Sequence, residues 1–288
     1  MKHYEKGGYD VFHYEFETLH QFLSYIQTAP VNTRVFDSNP RSSHKRSDNG
    51  WSGTESFEEA VELCLKGWSQ GFEKFVRMKK RIDEKLLEPI VRPRQVADVV
   101  GYSPSVPDYL HGNPLNMWNR ADVCIPTFIN IYLNVSYSAR TNHDKIFNRG
   151  VIALSLVDAL QDRGYSVRFK VFDCATVDDE EMVISFFKLK GDGEKLNIKK
   201  TYFPLCHPSF LRRLIFQLDE VTPVTHGYWD SSYGRPADVE TIKKIIDTGP
   251  NDIIIVQPDE MGVRGYDIDN DLEAILEFTN LQEILAKA

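Results

Sequence analysis

Three oxygen-bearing side chains, Asn134, Ser136 and Ser138, stand at alternating positions where the apolar run INIYLNVSYS (Ile129 to Ser138) gives way to a loop. A strand that ends this way puts polar groups at the carboxyl edge of a sheet, where open α/β folds seat ligands. Oxygen donors there suit a hard divalent cation such as Mg²⁺, or an acidic partner group held through it. Asn134 supplies a neutral carbonyl where an aspartate would offset the cost of dehydrating the cation, so the expectation is weak metal binding or a metal-free contact surface. Two acids are expected to approach the same edge. Asp173 follows the next apolar run and opens an acidic segment with Asp178, Asp179, Glu180 and Glu181, and Asp259 sits in PDEMG after the short run ending at Val256.

A second group has the composition of a recognition surface. THGYWDSSYG places Tyr228, Trp229, Asp230 and Tyr233 close together beside His226; aromatic rings give dehydrated contact area and polar groups fix orientation. His207, between Cys206 and Pro208, is expected to make a structural hydrogen bond, because no second Cys/His pair at zinc spacing accompanies it. GDGEK (Gly191 to Lys195) lacks the full glycine, lysine and hydroxyl arrangement of a phosphate loop and reads as a turn. Asp158 and Asp162 share a helix face and are expected to be solvated, as is the basic run RMKKR from Arg77 to Arg81.

With 288 residues, 42% of them hydrophobic, the chain can build one substantial α/β core, alone or with a smaller module. A formal charge of -8 and a pI near 5.5 give no global attraction to nucleic acid or to an anionic membrane. Cys64, Cys124, Cys174 and Cys206 are far apart and lie in or beside apolar segments, which predicts free, buried thiols in a reducing compartment. The first residues lack the apolar stretch of a secretion signal, and no apolar run has the length to cross a bilayer.

The elements that must position these groups follow from periodicity. Phe16, Leu19, Phe22, Leu23 and Ile26 predict a short helix, and Asn39 to Gly53 a mobile surface loop. Ser56 and Glu59 form a capping box before a helix carrying Phe57, Ala60, Val61, Cys64 and Leu65. Five prolines between Glu88 and Asn119 predict an irregular connector. A strand over Ile125 to Val135, a helix over Ile146 to Gln161 and a strand over Tyr165 to Phe172 predict a right-handed parallel unit. A strand over Glu181 to Lys190 with a hairpin return through Leu196 to Phe203, a helix from Pro208 to Leu218, a helix over Ala237 to Ile246, a strand over Asp252 to Val256 and a helix over Leu272 to Leu285 complete it. The boundary is expected near Asp122, giving a helical and irregular region (1–121) and an α/β domain (122–288).

From about Ile125 onward this order resembles the von Willebrand factor type A family, whose first strand often ends in an aspartate, serine, serine pattern that falls here on Asn134, Ser136 and Ser138. The resemblance implies a layered α/β fold with a mostly parallel sheet and N-terminal helical additions. The blocks WSGTESFEEAVELCLKGWSQG and RGVIALSLVDALQDRGYSVRF are also similar to those of a phage and mobile-element protein family. That resemblance implies a phage-associated protein of the host cytoplasm or the virion, binding a host defence protein or another phage component, with self-association open to it. The expectation is a non-enzymatic protein-binding module. The alternatives are a divalent-metal-dependent nuclease using Asp173, Asp179 or Asp259 to hold the metal, and a structural phage assembly protein.

Overall fold

The strand, helix, strand unit read after Asp122 is the centre of a mixed α/β sheet. The computed structural model describes residues 1–33, 42–44, 49–85, 92–123, 128–177, 180–225, 233, 235–279, 281 and 283. In chain order they form β1 (Lys2–Lys6), β2 (Tyr9–Phe16), α1 (Leu19–Thr28), α2 (Asn49–Ser52), α3 (Phe57–Lys66), α4 (Phe72–Lys85), β3 (Arg92–Asp98), β4 (Ser103–Pro104), α5 (Val106–Leu110) and β5 (Met117–Val123). There follow β6 (Phe128–Asn134), α6 (His143–Asp162), β7 (Ser166–Thr176), β8 (Glu181–Lys190), α7 (Ile198–Cys206), a π-helical segment (Phe210–Ile215) that runs into α8 (Phe216–Val221), β9 (Arg235–Pro236), α9 (Val239–Ile245), β10 (Asp252–Ile255) and α10 (Ile268–Thr279).

β6 lies between β7 and β10 and is parallel to both. α6 makes the crossover from β6 to β7, as a parallel connection requires. β8 returns antiparallel on β7, β2 joins β8 in parallel, and β1 pairs antiparallel with β2. The order is β1-β2-β8-β7-β6-β10, with β9 also on β7. Because apolar residues surround α6, it is buried on nearly every side. The Lys79 ammonium on α4 reaches Asp158 at 2.7 Å and Asp162 at 2.5 Å, so these two acids clamp α4 to α6 where a solvated face was expected.

The sheet also draws on the first residues, which corrects the expectation that 1–121 is a helical and irregular region apart from the α/β domain. Gly7 and Gly8, at φ 63° and 89°, supply the left-handed turn of a hairpin between β1 and β2. Val11, Phe12, Tyr14 and Phe16 are buried along β2. The helix begins later than its periodicity predicts, at Leu19, after the Thr18 hydroxyl accepts the Gln21 N–H. Residue 122 falls within β5 and does not divide the sheet from what precedes it.

The proline-rich stretch, over the described residues 92–119, is built of strands and a short helix. β3, β5 and β4 form a three-stranded antiparallel sheet with β5 in the middle. Pro93 and Pro104 lie on the two edge strands, where a missing N–H breaks no ladder, and the central strand has no proline. In place of the hairpin return expected from Leu196 to Phe203 the chain forms α7, capped by the Asn197 side chain on the Lys200 N–H. β8 already has its antiparallel partner in β7. Cys64, Cys174 and Cys206 are free and buried; Cys124 lies outside the described residues.

Candidate functional site at the carboxyl edge of the sheet

At the end of β6 the Asn134 Oδ1 accepts the Ser136 N–H at 2.7 Å, an asparagine turn that takes the chain out of the strand. The Ser136 hydroxyl then donates to Asp173 Oδ1 at 2.8 Å and accepts the Cys174 N–H at 2.7 Å. These bonds stitch the ends of β6 and β7 together. Asn134, Ser136 and Asp173 are all buried, and the Asn134 Nδ2 finds no partner among the described residues. Burial pushes the Asp173 carboxyl up to about 7, against the pull of the Ser136 hydroxyl. Asp219, on α8, is raised as well, first by its own burial and then by the charge of Asp173.

Ser138 and Asp259 lie apart from that buried group. Ser138 is exposed and its hydroxyl accepts the Arg140 N–H at 3.3 Å. Asp259 takes the Thr141 hydroxyl at 2.9 Å on one oxygen and the Lys145 ammonium at 2.6 Å on the other. Burial works to raise this carboxyl, but Lys145 and Thr141 outweigh it and hold it below its ordinary value. The structure thus brings together Asn134, Ser136 and Asp173, and gives Asp259 a protein cation of its own. Among the described residues, no group of three or more His, Cys, Asp or Glu side chains is arranged to hold a metal ion.

The carboxyl ends of β6 and β10 are joined by a residue that sequence reasoning passed over. Arg149 of α6 is fully buried, and its Nη1 donates to the carbonyls of Asn134 at 2.6 Å and Val256 at 2.9 Å. Those carbonyls stand at the carboxyl ends of β6 and β10, which pair in parallel. Burial draws the guanidinium down to about 10, so it stays charged at neutral pH, while its Nε and Nη2 have no partner among the described residues. Its signal in the sequence was an arginine opening the otherwise apolar run RGVIALSLV.

A second pair, Arg212 and Arg213, sits on the buried π-helical segment. The Arg212 Nη2 donates to the carbonyls of Thr141 at 3.0 Å and Ala139 at 3.3 Å, and its guanidinium lies 4.7 Å from the centre of the Trp51 ring. Arg213 donates to the carbonyls of Ser43 and Thr54, each at 2.9 Å, and to the Ser52 hydroxyl at 3.1 Å. Ser43 in turn donates to Glu220 at 2.7 Å. These bonds pull Ser43, Ser52 and Thr54 into the interior, the first two from the stretch where the sequence predicts a mobile surface loop. Arg213→Met is expected to cost about 2–3 kcal/mol, the scale of charge-assisted hydrogen bonds. Chymotrypsin should then cut next to Trp51 under native conditions, and undiminished resistance would contradict this role for Arg213.

Of the residues expected to form a recognition loop, Tyr228, Trp229 and Asp230 lie outside the described residues, as does Asp179. Tyr233 stacks on Phe216 with ring centres 3.9 Å apart and donates its hydroxyl to Glu220. It is committed to packing.

A family described as "Domain of unknown function (DUF7192)" matches residues 3–284. No curated protein and no solved structure matches the chain. Among the described residues, no helix is long and apolar enough to cross a membrane.

Proposed function

We propose that this chain, which belongs to the DUF7192 family across residues 3–284, is a non-enzymatic protein-binding module that meets its partner through the arm formed by β3, β4, β5 and α5. The observation that carries this reading is the exposure of large apolar side chains on that arm. Val100, Tyr109 and Leu110 are 72%, 69% and 76% exposed, and Val99, Tyr102 and Val106 are also exposed. Over 96–119, where the arm's burial is described, no apolar side chain belongs to the core, so these side chains are not spillover from an interior. Apolar residues scattered singly over a surface need no explanation, but a concentration on one protruding unit marks a contact site.

The scaffold beneath the arm is read as von Willebrand factor type A-like. The order β8-β7-β6-β10 supports this, as does the NVSYS edge at the end of β6. The contact is read as independent of metal, because the Lys145 ammonium already neutralises Asp259 and Ser136 is spent between two strands. The two sequence blocks similar to phage proteins support a partner from a phage or from its host's defences.

The test places charge on the arm. Val100→Glu with Leu110→Glu, compared with the unaltered chain, is expected to abolish photo-crosslinking to the partner from a residue placed at Tyr109, with the thermal midpoint unchanged because the core is untouched. Sedimentation of the purified chain separates a second copy from a different protein as the occupant. Crosslinking that survives both charges would overturn the assignment.

A further inference from the structure

A cleft of about 450 Å³ opens between the first turns of α4 and α6 and the end of α7. His207 forms its inner wall and is only 8% exposed. Its Nδ1 accepts the Ser209 N–H at 3.2 Å, so the proton of the neutral ring belongs on Nε2. That Nε2–H has no protein acceptor among the described residues. Protonating the ring would cost the Ser209 bond, and burial, followed by the charge of His143, lowers the His207 pKa to about 4. The group is therefore a fixed neutral donor at physiological pH.

The rest of the wall is built around that donor. Trp68 meets His207 edge-on at 4.8 Å and Phe147 edge-on at 6.0 Å, which lines the cleft with aromatic surface. Gly53 sits at φ 82°, and a Cβ there would lie 2.9 Å from His207 Cε1 and 2.8 Å from Pro208 Cγ. Only a glycine lets the backbone come this close to the imidazole. Gln70, Glu73, Lys74, His143 and Asp144 also line it; Lys74 lies 4.9 Å from the centre of the Phe147 ring, and neither it nor Glu73 or Asp144 forms an ion pair among the described residues. With both signs present, the cleft does not select for net charge. It offers one inner donor, aromatic surface, and carboxylate acceptors.

We propose that this cleft binds a neutral heteroaromatic molecule of nucleobase size, with a ring acceptor on the His207 Nε2–H and exocyclic amino hydrogens directed to Glu73 or Asp144. A nucleobase meets all three features of the wall: a flat apolar body, an in-plane acceptor, and in-plane donors. The volume accommodates a nucleoside. The binding stands apart from the arm, so it survives or fails independently of the protein-binding reading.

The test uses the full chain with adenosine, guanosine, cytidine and uridine as probes, and indole as an aromatic control without an acceptor. Saturable binding of at least one nucleoside is expected by calorimetry, with indole at least tenfold weaker. His207→Phe keeps the aromatic packing and removes the donor, and should weaken the nucleoside at least tenfold. If that variant does not fold, the imidazole nitrogen resonances of the unaltered protein decide the matter: the His207 Nε2 signal must move on nucleoside addition with the tautomer retained. No saturable nucleoside binding, equal affinity for indole, or an unmoved Nε2 signal would each overturn the proposal.

Discussion

Replacing Arg149 with alanine is expected to remove about 3–5 kcal/mol of folding stability, the range for losing a large buried side chain whose bonds hold other elements together. The guanidinium carries the carbonyls of Asn134 and Val256 on a single nitrogen. Its loss leaves both strand ends short of a donor and opens a cavity beside them. The same residue is also a burden on the fold. Its charge is fully desolvated, its Nε and Nη2 are unpartnered among the described residues, and no carboxylate is bonded to it. Arg149→Met, which keeps most of the volume and removes the charge, is therefore expected to cost less than half as much as Arg149→Ala. Urea unfolding of the two variants separates the contributions. Equal losses would mean that the hydrogen bonds, and not the filled volume, hold the edge together.

That burial also explains why the edge was only partly legible in the sequence. The strand and helix periods from Phe128 to Lys190 were readable because β6, α6, β7 and β8 are continuous apolar elements whose neighbours are close in the chain. β8 has the bounds its sequence predicts, and α6 differs from its predicted range by three residues at its start and one at its end. The β1–β2 hairpin and the arm were not readable in the same way. The first pairs with β8 across most of the chain, and the prolines of the second describe a connector until its strand order shows them on the edges. For the site, alternation put Asn134 and Ser136 where β6 ends, but no spacing fixed Asp173 beside them; it reaches Ser136 from β7. Spacing could not say whether that end faces solvent or is sealed. The sealing comes from Arg149 on the crossover helix, and from the π-helical segment whose Arg212 and Arg213 reach backbone carbonyls far away in the chain. Contacts of that kind leave no periodic trace.

The same sealing makes the edge sensitive to pH. Asp173 has a carboxyl raised from 3.8 to about 7 by burial, so the folded protein holds a proton there that the unfolded chain releases near pH 4. A group of this kind contributes stability that is fully present below its unfolded pKa and is lost as the pH rises through its folded one. Stability falls across that interval, and Asp219, raised in the same direction by its burial and then by the charge of Asp173, adds to the slope. The protein is thus expected to be more stable at pH 5 than at pH 8 in this term. Asp173→Asn keeps an oxygen for the Ser136 hydroxyl and carries no charge at any pH. It should raise the thermal midpoint at pH 8, change it little at pH 4, and flatten the fall between them. Midpoints measured from pH 4 to pH 9 for both proteins test this directly, and a variant that loses stability at pH 8 would show that the ionised carboxylate is the form the fold is built to hold.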